Sequence, residues 1–234
     1  MGWVEGKAGN RAVRAKIVAF LAIMLGAAPA AAQVRANDVR SATSLDVSYG
    51  IDPKWRLDVY SEMRADQNIS RPATLVFRPN IQYMFLPEWT VAAGYVQLEP
   101  LQATFRTERG AFQDLFYRPR FGALAVTNRV RLNEAFIDKT SALRIFTSYF
   151  LALQHPIGDS AWYARLTNET FFNLKVDGTG RQAGFQQNKS FVGIGYPIDP
   201  HLSLTGGYEL SVDDFRGTLL TTHAIKVSTV IRLN

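Results

Sequence analysis

Arg129, Arg131, Arg165, Glu169, Lys189 and Glu209 all sit on the polar phase of alternating apolar/polar runs in this 234-residue chain. Gathered in one interior, they would form either a cationic, anion-binding lumen or a ladder of internal ion pairs. The second outcome follows from the cost of burying an unpaired charge. An acyl-transfer or hydrolytic site would instead need a nucleophile with a base, commonly Ser with His. The chain has three histidines. His155 and His201 stand beside prolines in predicted turns. His223, with Ser211 on the neighbouring strand, is the remaining positional candidate, and its phase points it outward. No catalytic residue is assigned, and the reading leans against an enzyme. No spacing of His, Asp and Glu suggests a transition-metal site, and there is no P-loop or dinucleotide fingerprint, so no cofactor is expected. Asp213 and Asp214, read as a loop pair, could hold a divalent cation weakly.

The elements that position these charges announce themselves at their ends. Tyr49-Gly-Ile-Asp-Pro53-Lys-Trp55 and Tyr83-Met-Phe-Leu-Pro87-Glu-Trp89 share the pattern Tyr-x-x-x-Pro-x-Trp. Tyr196-Pro-Ile-Asp-Pro200-His-Leu202 repeats it with Leu in place of Trp. An alternating run enters each copy, a tight turn reverses the chain, and another run leaves. Tyr and Trp carry an apolar body and a polar tip, which suits a water–lipid boundary. Tyr49, Trp55, Tyr83, Trp89, Trp162 and Tyr196 are therefore expected to form an interfacial girdle around one end of a transmembrane barrel.

Strand-period alternation runs from residue 43 to the end. From Trp55 to Arg64, Trp55, Leu57, Val59 and Met63 share one face, and Arg56, Asp58, Tyr60, Glu62 and Arg64 share the other. A two-sheet sandwich would alternate too, but the runs are long for soluble strands of about 5–6 residues and suit membrane strands of about 9–11. The predicted strands are 43–51, 54–64, 72–85, 89–98, 109–118, 123–136, 141–154, 161–174, 185–196, 201–211 and 220–233. Loops 65–71, 99–108, 137–140, 175–184 and 212–219 lie at the opposite end from the Pro turns. Eleven is an awkward count, because bacterial single-chain barrels have even numbers of strands. The expectation is therefore an all-β, transmembrane, antiparallel up-and-down barrel of about 12 strands. Residues 33–42 would supply the twelfth, and ten strands is the fallback if the weak segment 109–118 is false. Inward glycines such as Gly193 and Gly195 read as space for bulky neighbours.

Arg11, Arg14 and Lys16 precede an apolar run from Ile17 to Ala28 and then Pro29-Ala-Ala-Ala32. Basic segment, short apolar segment and small residues make the order of a cleavable signal peptide over residues 1–32, leaving 33–234 as the barrel. Its removal lowers the excess of basic over acidic side chains from six to three. Nucleic acid is accordingly not expected as a partner. The absence of cysteine excludes disulfides and thiolate sites.

From residue 108 onward an ordered set of pieces stands out: Glu108-Arg109-Gly-Ala-Phe112-Gln113, Asn128-Arg129-Val-Arg131-Leu132-Asn133-Glu134, Asn168-Glu169-Thr-Phe171-Phe172-Asn173 and Gln187-Asn188-Lys189…Gly193-Ile-Gly195-Tyr196. The set resembles a family of bacterial outer-membrane β-barrel proteins grouped under a "domain of unknown function" label. Phe112, Asn128, Asn133 and Lys189 depart from its pattern of Trp, His, Glu and Arg. Glu134 could replace the missing Glu only if a bulge turned it inward. The resemblance implies an exported outer-membrane barrel and no known activity. The expected role is a narrow, porin-like channel or a structural accessory of the envelope, with a barrel-type lipid-modifying enzyme as the alternative. Its partners would be the bilayer and lipopolysaccharide, the outer-membrane assembly machinery, and an ion or small molecule in passage.

Overall fold

In the computed structural model the described residues are 33–102, 106–138, 142–175, 183–215 and 217–233. The expected signal peptide, residues 1–32, lies outside them. The rest is all strand and turn: β1 (Gln33–Gly50), β2 (Trp55–Asp66), β3 (Arg71–Leu86), β4 (Trp89–Pro100), β5 (Glu108–Tyr117), β6 (Arg120–Phe121), β7 (Leu124–Ile137), β8 (Leu143–Pro156), β9 (Tyr163–Asn173), β10 (Gly184–Pro197), β11 (Leu202–Phe215) and β12 (Thr218–Leu233).

Eleven long strands close into a barrel, and the two-residue β6 makes a small hairpin on the start of β7. Neighbours are antiparallel throughout except at one seam, where β1 pairs β12 in parallel, in unbroken register from Val39 to Tyr49 against His223 to Leu233. The seam follows from the count. In an up-and-down meander each strand reverses the last, so an odd number leaves the first and last running the same way. The expected barrel of about twelve strands is thus present, with two corrections to its detail. Residues 33–42 lengthen β1 instead of forming a separate strand, and closure is parallel where an antiparallel one was expected. The weak segment 109–118 is a true strand, paired on both sides, so the ten-strand fallback fails.

The two ends of the barrel differ. At the turn end, Asp52 Oδ1 accepts hydrogen bonds from the backbone N–H of Lys54 and Trp55 at 2.7 and 2.8 Å. Asp199 Oδ1 does the same for His201 and Leu202 at 2.7 and 2.8 Å. The carboxylate holds the chain in a turn that Pro53 or Pro200 has already restricted. The middle copy has Leu86 where the others have Asp and reverses through Pro87 and Glu88 alone. At the loop end, the predicted loop 212–219 shrinks, because β11 and β12 pair as far as Phe215 and Thr218.

Alternation sorts the side chains. Leu57, Val59, Ile81, Val91, Leu115, Val130, Val192, Ile194 and Ile225 face outward and are exposed, while Asp58, Glu62, Asp114, Arg131 and Glu209 are buried within. This is the reverse of a soluble protein, with apolar side chains outside and charge inside. Glycines let bulky rings lie along the inner wall. A Cβ on Gly94 would lie 2.7 Å from Phe112 Cζ, and one on Gly195 would enter the Tyr163 ring. The neighbour that fills each gap stands on the adjacent strand or, for Phe191 beside Gly193, two residues back on the same strand.

Candidate functional site

The candidate site is the lumenal charge network. In β7, Arg129 and Arg131 point inward on alternate residues. Arg131 donates from Nε and Nη2 to the two carboxylate oxygens of Asp114 on β5, both at 2.7 Å. Its guanidinium also lies 4.0 Å over the Phe112 ring. Arg129 pairs with Glu169 of β9 at 2.5 Å, and Ser148 of the intervening β8 donates to the same carboxylate at 2.9 Å. Paired charges with spare lone pairs satisfied are the form in which a low-dielectric interior tolerates ions.

A second hub lies by the parallel seam. Glu62 receives Arg64 Nε at 2.6 Å and the Tyr60 hydroxyl at 2.5 Å. Lys226 of β12 reaches across β1 to Glu62 at 3.1 Å and also donates to Glu209 of β11 at 2.9 Å. Small residues make that reach available, since Ser44 of β1 and Ser228 of β12 meet through their hydroxyls at 2.7 Å. Nearer the loop end, Arg144 Nη1 donates to Glu108 at 2.8 Å.

Toward the turn end, Arg56 donates to Asp58 at 3.1 Å and to Gln82 at 2.6 Å. Arg118, in the turn after β5, donates to Thr90 at 2.9 Å and lies 4.0 Å over the Phe116 ring. Burial, with Arg56 beside it, pushes the Arg118 guanidinium down to about 10. It stays charged at neutral pH.

The six lumen candidates therefore divide. Arg129, Arg131, Glu169 and Lys189 share one neighbourhood. Glu209 belongs to the seam hub. Arg165 lies apart toward the turn end, with Tyr163, Asp46 and Arg232 as its charged or titratable neighbours. Sequence reasoning assigned no site role to Asp114, which anchors Arg131. It sits in the weakly patterned β5, where Phe112 and Phe116 face inward and Gln113 outward, blurring the alternation that would have exposed it.

The girdle candidates collect at the turn end. Trp55 meets Tyr83 and Trp89 meets Tyr117 at ring-centroid distances of 4.6 Å, and Trp162 meets Tyr196 at 5.0 Å. Tyr49, next to last in β1, lies there opposite Leu57. Tyr117 is the partner that the repeated motif did not reveal.

The outer wall also carries a polar island that the sequence reading missed. Asn168 Nδ2 donates to Ser190 Oγ at 2.9 Å, and Asn188 Nδ2 donates to Thr170 Oγ1 at 2.7 Å. The only available signal was phase: these four residues occupy positions where Leu166, Val192 and Ile194 set an apolar pattern. Glu134 stays on the outer phase, because β7 pairs β8 in unbroken register from Ala125 to Phe136.

Catalytic candidates fare differently. Ser211 is buried inside and donates to Asp213 at 3.2 Å. His223 lies on the outer face, where its Nδ1 meets the Tyr208 hydroxyl. The two occupy opposite sides of the wall, so they form no nucleophile–base pair. Asp213 and Asp214 lie within β11 and not in a loop, which corrects the loop-pair reading. Asp213 accepts from Gln187 and Ser211, while Asp214 accepts from Gly217 N–H at 2.7 Å. Among the described residues no group of three or more His, Cys, Asp and Glu could hold a metal ion.

The lumen is crowded at mid-height. Arg78 of β3 and Glu169 of β9 stand on nearly opposite walls of the ring, yet Arg78 acts electrostatically on Glu169. Tyr60 of β2 similarly acts electrostatically on Arg129 of β7. Such an arrangement can bind small charged species. No curated protein matches this chain. A family model described as "Protein of unknown function (DUF2490)" matches residues 43–218, most of the barrel, and the chain belongs to that family.

Proposed function

We propose that this protein is an outer-membrane β-barrel whose lumen serves as a narrow, charge-lined conduit for small ions. The observation that carries the reading is the inversion of the wall, with exposed apolar side chains outside and ion pairs inside. The dimensions agree with it. β2 has 12 residues. At ~3.3 Å per residue and a tilt of ~45°, such a strand spans ~28 Å, close to the ~30 Å hydrocarbon core. Closure satisfies the backbone hydrogen bonds of every wall strand, which lipid demands. The Tyr/Trp pairs at the turn end suit a bilayer interface, and the turn end is assigned to the periplasm because short turns belong there. Export through the residue 1–32 leader and insertion by the outer-membrane assembly machinery complete the proposal. Lipid and lipopolysaccharide would surround the wall.

The test combines location with conductance. The protein should appear in the outer-membrane fraction, migrate faster on gels unboiled than boiled, and give small discrete openings in planar bilayers. A soluble periplasmic monomer would refute the membrane assignment. A membrane barrel that stays silent in bilayers would refute the conduit and leave a structural envelope protein. The lipid-modifying alternative loses the Ser211–His223 pair, because the two lie on opposite faces of the wall.

A further inference from the structure

One level of the lumen carries more positive charge than its carboxylates neutralise. Four cations act electrostatically on Glu169: Arg129, Arg131, Arg78 and Lys189. Arg129 takes Glu169 itself and Arg131 takes Asp114. Arg78 and Lys189 have no carboxylate at ion-pair distance among the described residues, and Glu62 and Glu209, which act on Lys189, are paired with Arg64 and Lys226. Each is placed instead by an aromatic ring, Arg78 at 5.6 Å from the Tyr60 centroid and Lys189 at 5.8 Å from that of Phe171. Ring faces attract cations but accept no strong hydrogen bond, so both groups keep their donors for something else.

The buried polar atoms point the same way. Of four buried side-chain polar atoms without a hydrogen-bond partner among the described residues, three are donors, Arg78 Nε, Arg129 Nε and Asn133 Nδ2, and the fourth is an acceptor, Gln186 Oε1 of β10. Asn133 is only 4% exposed. Native interiors rarely leave such groups unmatched, because each has given up its bonds to water. An excess of cations together with unmatched donors calls for an acceptor carrying negative charge. The strong field of a low-dielectric lumen raises the affinity of a small anion further.

We propose that this level of the lumen is a binding site for a small inorganic oxyanion or halide, with Arg78 and Lys189 as the residues that hold it. The inference deepens the conduit reading, since an anion held at mid-lumen would also be the permeant class. It requires only the closed barrel, however, and binding is measured without conductance.

The experiment titrates the full-length mature barrel, refolded in detergent, with sodium phosphate, using sodium gluconate at matched ionic strength as control. The expected result is saturable heat in isothermal titration and a rise in the unfolding midpoint with phosphate alone. Arg78→Gln and Lys189→Gln should each weaken phosphate binding by about tenfold, and the double variant should abolish it while retaining heat-modifiable migration. Equal responses to phosphate and gluconate, or unchanged binding in the folded double variant, would overturn the site. Should the double variant not refold, wild-type titration decides alone, and absence of saturable phosphate binding refutes the proposal. Binding with silent bilayers would sustain the site and defeat only the conduit.

Discussion

Arg131 and Asp114 stand directly opposite each other on the β5–β7 ladder and close two parallel hydrogen bonds of 2.7 Å, both side chains being almost wholly buried. The pair shows how this barrel uses charge. A bidentate contact fixes two neighbouring strands in one register, and the Phe112 ring beneath the guanidinium keeps water from competing.

Breaking that pair from one side should be costly. Asp114→Asn leaves a buried guanidinium without its anion and is expected to lower stability by about 3–5 kcal/mol in urea unfolding of the refolded barrel. Joint replacement, Asp114→Leu with Arg131→Met, removes both charges and should cost much less than the single variant. Equal losses in the two would show that the charges do not act as a pair.

Two wall glycines, Gly94 facing the lumen and Gly206 facing outward, should respond in opposite ways. A Cβ at Gly94 would lie 2.4 Å from the Pro79 carbonyl oxygen and 2.7 Å from Phe112 Cζ, whereas one at Gly206 meets nothing within 4 Å. Gly94→Ala is expected to destabilise by about 1–3 kcal/mol through overpacking. Gly206→Ala should be neutral or stabilise by about 0.4–1 kcal/mol, because it restricts the unfolded chain. Thermal midpoints of the two variants, measured side by side, provide the comparison.

The turn between β2 and β3 stores strain. Gln67, Asn68 and Ile69 have φ of 51°, 54° and 67°, so a β-branched residue occupies the left-handed region. That conformation costs a residue with a Cβ about 1–2 kcal/mol. Ile69 is exposed and loses little packing on truncation. Ile69→Gly should therefore raise the unfolding midpoint, and a lowered midpoint would mean that the Ile69 side chain packs more than its exposure suggests.

Much of this architecture was legible in the chain. Apart from the start of β1, which lies ten residues before its predicted place, alternation placed the long strands to within about four residues, because an outward Leu57 or Val59 and an inward Asp58 or Glu62 must differ when one wall face is apolar and the other charged. The Asp-Pro turns were legible as turns, although the carboxylate that fixes two of them was not read. Three features escaped for physical reasons. Parallel closure leaves no mark on periodicity, since Thr43 to Tyr49 alternate identically whichever direction β12 runs. The pairing of Arg131 with Asp114 and of Lys226 with Glu62 depends on register between strands distant in sequence. The inward aromatics Phe112, Phe116 and Phe150 invert the simple rule that the lumen is polar, because cations lie over their faces.

The parallel seam within a membrane barrel is the central claim, and a cysteine pair tests it most directly. The chain has no cysteine of its own, and Ser44 and Ser228 are paired residues whose hydroxyls meet at 2.7 Å across β1 and β12. Ser44→Cys with Ser228→Cys, oxidised in the isolated outer-membrane fraction, should form an intramolecular disulfide and give a reductant-sensitive band of altered mobility. Moving one cysteine by a single residue, to Thr229, should abolish the cross-link, because neighbouring side chains point to opposite faces. Free thiols in the Ser44/Ser228 pair, or recovery of the protein only in the soluble fraction, would contradict the account.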